Sequence, residues 1–308
     1  MAEPRVSIVV LSYNRPDSLD QALASIVAQT YRDREILVVD NPSPASEKVA
    51  RVVAGHPEAR LLRPPANLGF AGGMNAGLRA ARGRFVYLFE DDLIAEPECV
   101  ERLVAFAERE PACALCAGPV YDRADGRFLS AGGDVSLGSV FRATLRGRDE
   151  RDTGQYPDRA DVDWLPGCSA LGRRDVLELL GGFREEFFMY LEDVEICLRI
   201  RALGFRICYV PGASVHHLPP PRTGTPSDLD FHRLKNLNAL YVLHAPARSW
   251  PAFVARYGAM EGLRALGTSR ARLWLHLRAW GWTIAELPRL LAERRVLAQV
   301  TRDVEHMR

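Results

Sequence analysis

The chain has 308 residues, 47% of them apolar and 26% charged, with a net charge of +1. That length supports one large or two modest domains with a substantial core, and the composition is ordinary for a soluble globular protein. A near-neutral balance excludes a dominant nucleic-acid-binding field, and no run of 18 apolar residues is present to cross a bilayer.

The N-terminus passes from Met1–Arg5 directly into strand-like sequence without a basic and apolar leader, which points to a cytoplasmic protein. Val6–Leu11 is a continuous apolar, β-branched run, the pattern of a strand buried on both faces. Leu19, Ala22, Leu23, Ile26 and Val27 then share one face of a helix. Ile36–Val39 is a second buried strand, so the opening segment reads as a βαβ unit with parallel strands. Arg60–Leu62 predicts a third strand, Gly72–Arg82 a Gly-rich helix, and Phe85–Phe89 a fourth strand. Pro97 opens a helix that aligns Val100, Leu103, Val104 and Ala107. Cys113 and Cys116 have a metal-like spacing, but no second pair completes it, and all six cysteines fit buried packing in a reducing compartment. Residues 121–162 are polar and weakly periodic, as expected of loops and short strands. Helices are predicted at Arg174–Leu180 and Val194–Leu203, and a strand at Phe205–Val210. The Pro-rich stretch 219–226 reads as a break, and 228–308 is helical in composition.

Two acidic clusters close apolar runs: Glu90-Asp91-Asp92 after Phe85–Phe89, and Glu192-Asp193 after Phe187–Leu191. Adjacent carboxylates repel and are costly to desolvate without a cation or proton partner. Oxygen ligands of this kind suit Mg²⁺ or Mn²⁺, which in turn hold diphosphates. One cluster is therefore expected to hold a metal-diphosphate and the other to move a proton. In a parallel α/β sheet the ligand lies beyond the carboxyl ends of the strands. Here those ends are Ser12-Tyr13-Asn14, Asp40-Asn41 and Glu90-Asp91-Asp92.

The segments Val6–Asn14, Leu37–Asn41, Asn67–Gly77, Glu90–Asp92, Phe187–Glu195 and Pro211–His217, in this order, resemble glycosyltransferase family 2. The similarity is greatest to its rhamnosyl- and galactofuranosyltransferase-like branch and covers about residues 5–240. The resemblance implies an α/β fold of GT-A type, with a mostly parallel, Rossmann-like nucleotide-binding sheet flanked by helices and a C-terminal helical extension. It divides the chain into a nucleotide-sugar-binding half (1–120), an acceptor and catalytic half of the same domain (121–226) and a C-terminal helical region (227–308). It also implies Mn²⁺ or Mg²⁺, a UDP- or dTDP-sugar donor and an inverting transfer to a hydroxyl of a glycan, lipid-linked or small natural-product acceptor. Cell-wall or polysaccharide biosynthesis is the setting that follows.

By the same resemblance, Asp40 accepts from a uracil or thymine N–H in a pocket that Ser12, Tyr13 and Asn14 line, although Pro42 departs from the usual continuation of that motif. Asn67, Gly72 and Asn75 belong to a loop and helix beside the diphosphate and donor sugar; plain helix packing is the alternative. Asp92 is the expected metal ligand, with Glu90 and Asp91 toward ribose, sugar or a metal-bound water. Asp193 is the base and Glu192 positions the acceptor, with the swapped assignment as the alternative; Glu195 gives local support. His217 completes the metal site, and His216 is the other register. Trp164 walls the sugar or acceptor site, or else packs in the core. From Arg248 to Arg308 the chain carries 11 arginines against 5 acidic residues, together with Trp250, Trp274, Trp280 and Trp282. That mixture suits either a peripheral contact with the inner membrane face or a cap on the catalytic domain or a second subunit. Two rivals stand beside this reading. A nucleotidyltransferase shares the pocket type, but Leu11–Arg15 offers no glycine for a phosphate loop. A non-catalytic sugar-nucleotide-binding scaffold would not need every acidic position.

Overall fold

The computed structural model describes residues 4–138, 140–218, 227–260, 263 and 270–306. The expected break at 219–226 lies outside them. The chain opens with β1 (Val6–Ser12), α1 (Pro16–Val27), β2 (Arg34–Asp40), α2 (Ser46–Ala54), β3 (Ala59–Leu62), α3 (Gly69–Ala80) and β4 (Phe85–Glu90). Pro16 opens α1 where its missing N–H has no helical partner to lose. β5 (Leu93–Ala95), α4 (Cys99–Arg109), β6 (Cys113–Ala117), β7 (Val120–Asp122) and β8 (Phe128–Ser130) follow. A hairpin of β9 (Gly133–Leu137) and β10 (Phe141–Leu145) leads to β11 (Ala160–Asp161), β12 (Ser169–Arg173) and α5 (Arg174–Leu179). The chain then runs through α6 (Glu192–Ala202), β13 (Arg206–Tyr209), β14 (Val215–His217), α7 (Ser227–His244), the short α8 (Trp250–Phe253) and the long α9 (Arg270–His306).

Eight strands form the main sheet in the order β11-β13-β6-β12-β4-β1-β2-β3. The pairs β4–β1, β1–β2, β2–β3 and β6–β13 are parallel. β12 runs antiparallel to both β4 and β6. The apolar runs in β1 and β4 are continuous because both faces of the sheet are covered. Val6, Ile8 and Val10 of β1, with Phe85, Tyr87 and Phe89 of β4, point into one core with α1, α2 and α4. Val9, Leu11, Val86 and Leu88 alternate into the opposite core with α3, α5 and α6. The strand Cys113–Ala117 is buried throughout, and the Cys113 thiol donates to the Leu115 carbonyl at 3.2 Å.

A second, four-stranded sheet, β5-β14-β7-β8, stands beside the first. Its register pairs His217 with Leu93, the residue after Asp92. The C-terminal helices make small cores of their own. Phe187, just before the second acidic cluster, packs with Ala239 and Leu243 of α7 and Leu290 of α9. Tyr241 stacks on Phe253 at 3.7 Å between ring centroids. Of the four C-terminal tryptophans, Trp250, Trp280 and Trp282 pack against these cores, whereas Trp274 is 61% exposed.

Candidate active site

Strand order puts the predicted polar ends side by side. β1 lies between β4 and β2, with Ser12 opposite Asp40 and Leu11 opposite Glu90. Asp91 ties two of these ends together. Its carboxylate accepts from the Ser12 hydroxyl at 2.7 Å and the Tyr13 amide at 3.0 Å. Burial, with the charge of Asp92 behind it, raises the Asp91 carboxyl to about 7 against the lowering contact of Ser12. Tyr13 is half exposed, and Asn14 adopts φ 60, so the loop turns outward there.

Asp92 is buried and faces two basic groups. Arg15 forms an ion pair with Oδ2. His217 Nε2 lies 3.7 Å from Oδ1. His217 Nδ1 donates to the Leu218 carbonyl at 2.8 Å, so Nε2 is the ring nitrogen that faces Asp92. His216 points elsewhere: its Nε2 meets Glu96 at 2.9 Å and its ring stacks on Tyr121. The Leu218 amide donates to the Asp92 carbonyl at 2.7 Å and holds the two segments together. Glu90, Asp92 and His217 each offer one ligand atom, all within 4.8 Å of one another. Asp92 Oδ1 is buried without a hydrogen-bond partner. Burial and the charges of Asp92 and Asp91 raise Glu90 to about 8. Two oxygens and an imidazole nitrogen at this spacing, one oxygen unsatisfied and one carboxyl under strain, fit a divalent cation.

The second acidic pair opens α6, where a helix N-terminus favours negative charge. The Asp193 carboxylate accepts from the Gly167 amide at 3.3 Å and the Val194 amide at 2.8 Å. Burial raises Asp193 from 3.8 to about 6. Glu192 is pushed well above the usual range by burial, by Asp193 and by Glu90. The two clusters thus feel one another across the sheet end. Cys168 lies between them: burial and then Glu90, Asp92 and Asp193 all raise its thiol, and its carbonyl accepts from the Glu90 amide at 3.1 Å. Glu195, one turn on, faces away from this cleft. Burial alone would raise it, but Arg199, His244 and Arg184 outweigh burial and hold it well below the carboxylate range.

The remaining predicted residues are held by contacts within the protein. Asp40 is fully buried, and its carboxylate accepts from Arg63 Nε at 2.9 Å and Ser46 Oγ at 3.3 Å. Burial still leaves its carboxyl above the usual value. Asn67 accepts from the Gly69 amide at 2.9 Å. A Cβ on Gly72 would lie 2.7 Å from that of Leu68, so this glycine serves the first turn of α3. Asn75 spends its amide on both backbone groups of Phe183, at 2.8 Å each, and so joins α3 to the segment before the second acidic pair. Trp164 is 8% exposed and its indole donates to the Thr144 carbonyl at 3.3 Å, which fastens the β9–β10 hairpin. Sequence reasoning gave no role at the site to Arg63 or Cys168 and treated Arg15 only as a missing phosphate loop. A lone Arg or Cys without a motif carries no signal until the fold brings it to a carboxylate.

The family model for glycosyl transferase family 2 matches residues 7–181, more than half of the chain. The chain belongs to glycosyltransferase family 2. This glycosyltransferase is 29% identical over 263 residues to the N-acetylglucosaminyl-diphospho-decaprenol L-rhamnosyltransferase of Mycobacterium tuberculosis, across 79% of this chain and 84% of that protein. Its fold is similar to GalNAc-T7 in complex with UDP, GalNAc and Mn²⁺, with a TM-score of 0.64, 15% identity and coverage of 83% of this chain and 51% of that one. It is also similar to the mannosyltransferase PcManGT from Pyrobaculum calidifontis in complex with GDP-Man and Mn²⁺, with a TM-score of 0.55, 18% identity and coverage of 99% and 88%. The sheet with its helical flanks is therefore a GT-A fold, as the sequence motifs implied. The family match ends at Gly181, before Glu192, Asp193 and His217, so the second acidic pair and the imidazole at this cleft come from outside it.

Proposed function

We propose that this glycosyltransferase moves a sugar from a UDP- or dTDP-sugar to a hydroxyl of a lipid-linked glycan, with inversion and with Mn²⁺ or Mg²⁺ bound. The observation that carries the reading is the meeting of Glu90, Asp92 and His217 with Asp193 at one end of the sheet. A cation held by Asp92 and His217, with Glu90 on it directly or through water, would neutralise the diphosphate that leaves. Asp92 and His217 orient that site, and Arg15, now paired with Asp92, is placed to take a phosphate oxygen. Asp193 accepts the proton of the attacking hydroxyl, since a base near pH 6 is ionised at neutral pH yet still basic. Glu192, whose proton is held by burial, donates a hydrogen bond to the acceptor. Asp40, opposite Ser12 in the β1–β2 register, and Tyr13, the residue after Ser12, are assigned to the nucleotide side.

The rhamnosyltransferase relative carries a polyprenyl diphosphate acceptor in its name, which favours a lipid-linked acceptor over a free glycan or small natural product. Among the described residues no helix is long and apolar enough to cross a membrane. Trp274, Leu277, Ile284 and Val296 are 61%, 57%, 67% and 63% exposed and fall on one side of α9. An apolar stripe beside arginines fits peripheral contact at the inner face of a membrane. Two measurements test the reading. UDP-, dTDP- and GDP-sugars are ranked with Mn²⁺ by thermal stabilisation, and the best is offered to a polyprenyl-diphosphate-linked sugar acceptor; stabilisation confined to GDP-sugars, or no transfer to any hydroxyl acceptor, refutes it. Sedimentation with anionic vesicles should carry the protein down and Trp274→Glu should weaken this; unchanged partition removes the membrane contact.

A further inference from the structure

The second acidic pair follows an unusual turn. Phe188, Tyr190 and Leu191 have φ 64, 71 and 67, three of the five non-glycine residues with positive φ among those described. Side-chain-bearing residues adopt that region only where their surroundings force it. Leu191 is the last residue before Glu192, and its carbonyl accepts from the Glu195 amide at 2.9 Å, which starts α6. The turn's conformation therefore sets where Asp193 points.

The force comes from two sides. On one, the first turn of α3 presses on Phe188. Gly69 has φ +68, a Cβ there would lie 2.3 Å from the Phe188 carbonyl oxygen, and the Ala71 amide donates to that oxygen at 3.2 Å. On the other stands Asn236 of α7, wholly buried. Its Nδ2 lies 2.8, 2.9 and 2.7 Å from the carbonyl oxygens of Phe187, Met189 and Tyr190. Carbonyls of a relaxed strand or helix do not converge on one point, so the amide and the positive φ values define each other. Lys235, the preceding residue, donates to the Glu186 carbonyl. Each of these polar contacts is inside the protein, where leaving the carbonyls unpaired is costly.

We infer that Asn236 is a positioning residue for sugar transfer: it gathers the carbonyls of the Phe187–Leu191 turn and so fixes Asp193 against the donor site. The inference rests on the reading of Asp193 as the base. It assigns a function in the reaction to the C-terminal helices, which lie outside the family match. Arg15, Glu90, Asp92 and His217 sit on other segments of the chain and make no hydrogen bond to the turn, so losing the clamp should leave nucleotide binding intact and slow the chemical step.

The test compares Asn236→Ala and the milder Asn236→Ser with Asn238→Ala in the full chain. Asn238 is the right control: it is a buried amide on the same helix, but it donates to Thr283 Oγ1 at 3.1 Å rather than to the turn. Expected for Asn236→Ala is a fall in kcat of about tenfold to a hundredfold, the cost of misplacing a reacting group by about an ångström, with UDP affinity in Mn²⁺ changed less than about threefold. Hydrogen exchange of the amides of residues 188–193 should speed up by at least about tenfold. Asn238→Ala should keep kcat within about threefold. If Asn236→Ala does not fold, Asn236→Ser, with one donor left, carries the comparison with a smaller loss. A kcat within threefold of wild type for a folded Asn236 variant, or an equal loss in Asn238→Ala, overturns the inference. If the wild type transfers no sugar, the base reading fails instead, and exchange decides alone: unchanged protection at 188–193 refutes the clamp, faster exchange upholds it.

Discussion

Glu90→Gln should make the metal-free protein more stable. Burial and the charges of Asp92 and Asp91 raise the Glu90 carboxyl from 4.5 to about 8. The folded state thus holds this proton more tightly than the unfolded chain, so the group costs stability as pH rises through the window from 4.5 to about 8. At about 1.4 kcal/mol per unit the full shift corresponds to at most ~5 kcal/mol. Part of that is repulsion shared with Asp91 and Asp92, so an uncharged side chain of the same shape should recover roughly 2 kcal/mol. For a chain of this size that is a rise in Tm of about 4 °C. The assay is thermal unfolding in EDTA at about pH 8.5 and again at about pH 5, where the native glutamic acid is already protonated and the difference should shrink toward zero. Mn²⁺ should then stabilise the wild type more than the variant, because the cation relieves the same repulsion. A variant less stable than wild type at the higher pH, or equally stabilised at both, would show that Glu90 already has its partner and that the three carboxylates do not await a cation.

Asp193→Asn should lower kcat by roughly 10²–10⁴-fold with nucleotide affinity retained; transfer kept within tenfold removes the base assignment. In the wild type, kcat should fall as pH drops below about 6, because burial raises Asp193 to that value and only the ionised form accepts a proton, and the variant should lack this limb. Asp92→Ala and His217→Ala should each abolish the stabilisation given by Mn²⁺ with UDP, while His216→Ala, paired with Glu96, keeps it; tight binding of UDP in EDTA would count against the site. Gly69→Ala meets both a positive φ and the Phe188 carbonyl at 2.3 Å, so a loss of about 2–4 kcal/mol is expected in urea unfolding, and a loss under ~0.5 would mean that the loop shifts freely.

The strand ends were legible because one face of chemistry repeats at them. Val6–Leu11, Ile36–Val39 and Phe85–Phe89 are too apolar to end anywhere but in a buried parallel sheet, and the polar residue after each run then falls at the same edge. The parallel pairing of β1 with β2 followed from the βαβ rule, whereas the place of β4 on the other side of β1 came only with the structure. β12 was not legible: Ser169–Arg173 is short and contains a glycine, and its antiparallel insertion beside β4 is fixed by partners far away in the chain. Trp164 shows the complementary limit. Its sequence context allowed a sugar platform or a core residue, and nothing beside it signals that its indole bonds the Thr144 carbonyl, 20 positions earlier. Asn75 is similar, since nothing near it announces that its amide closes on Phe183, 108 positions later.

The carboxylates at the cleft need opposite surroundings, and the fold supplies them with different parts of the chain. Glu90, Asp91 and Asp92 sit on the rigid edge of the main sheet, where β1 and β14 bring Arg15 and His217 to within reach of one oxygen each. Compressed charge there is what the proposed cation would relieve. Asp193, the proposed base, instead accepts from two backbone amides, with no cationic side chain bonded to it among the described residues. Arginines are close by, but they are drawn off: Arg184 and Arg199 both pair with Glu195, two residues on from Asp193 and so on the other side of α6. Replacing Glu195 by Gln should free those guanidinium groups, draw the Asp193 carboxyl downward and move the acid limb of kcat to lower pH. An unmoved limb would mean that Arg199 is held by the backbone carbonyls of Leu180 and Gly182, and Arg184 by Glu186 and Glu293, without Glu195.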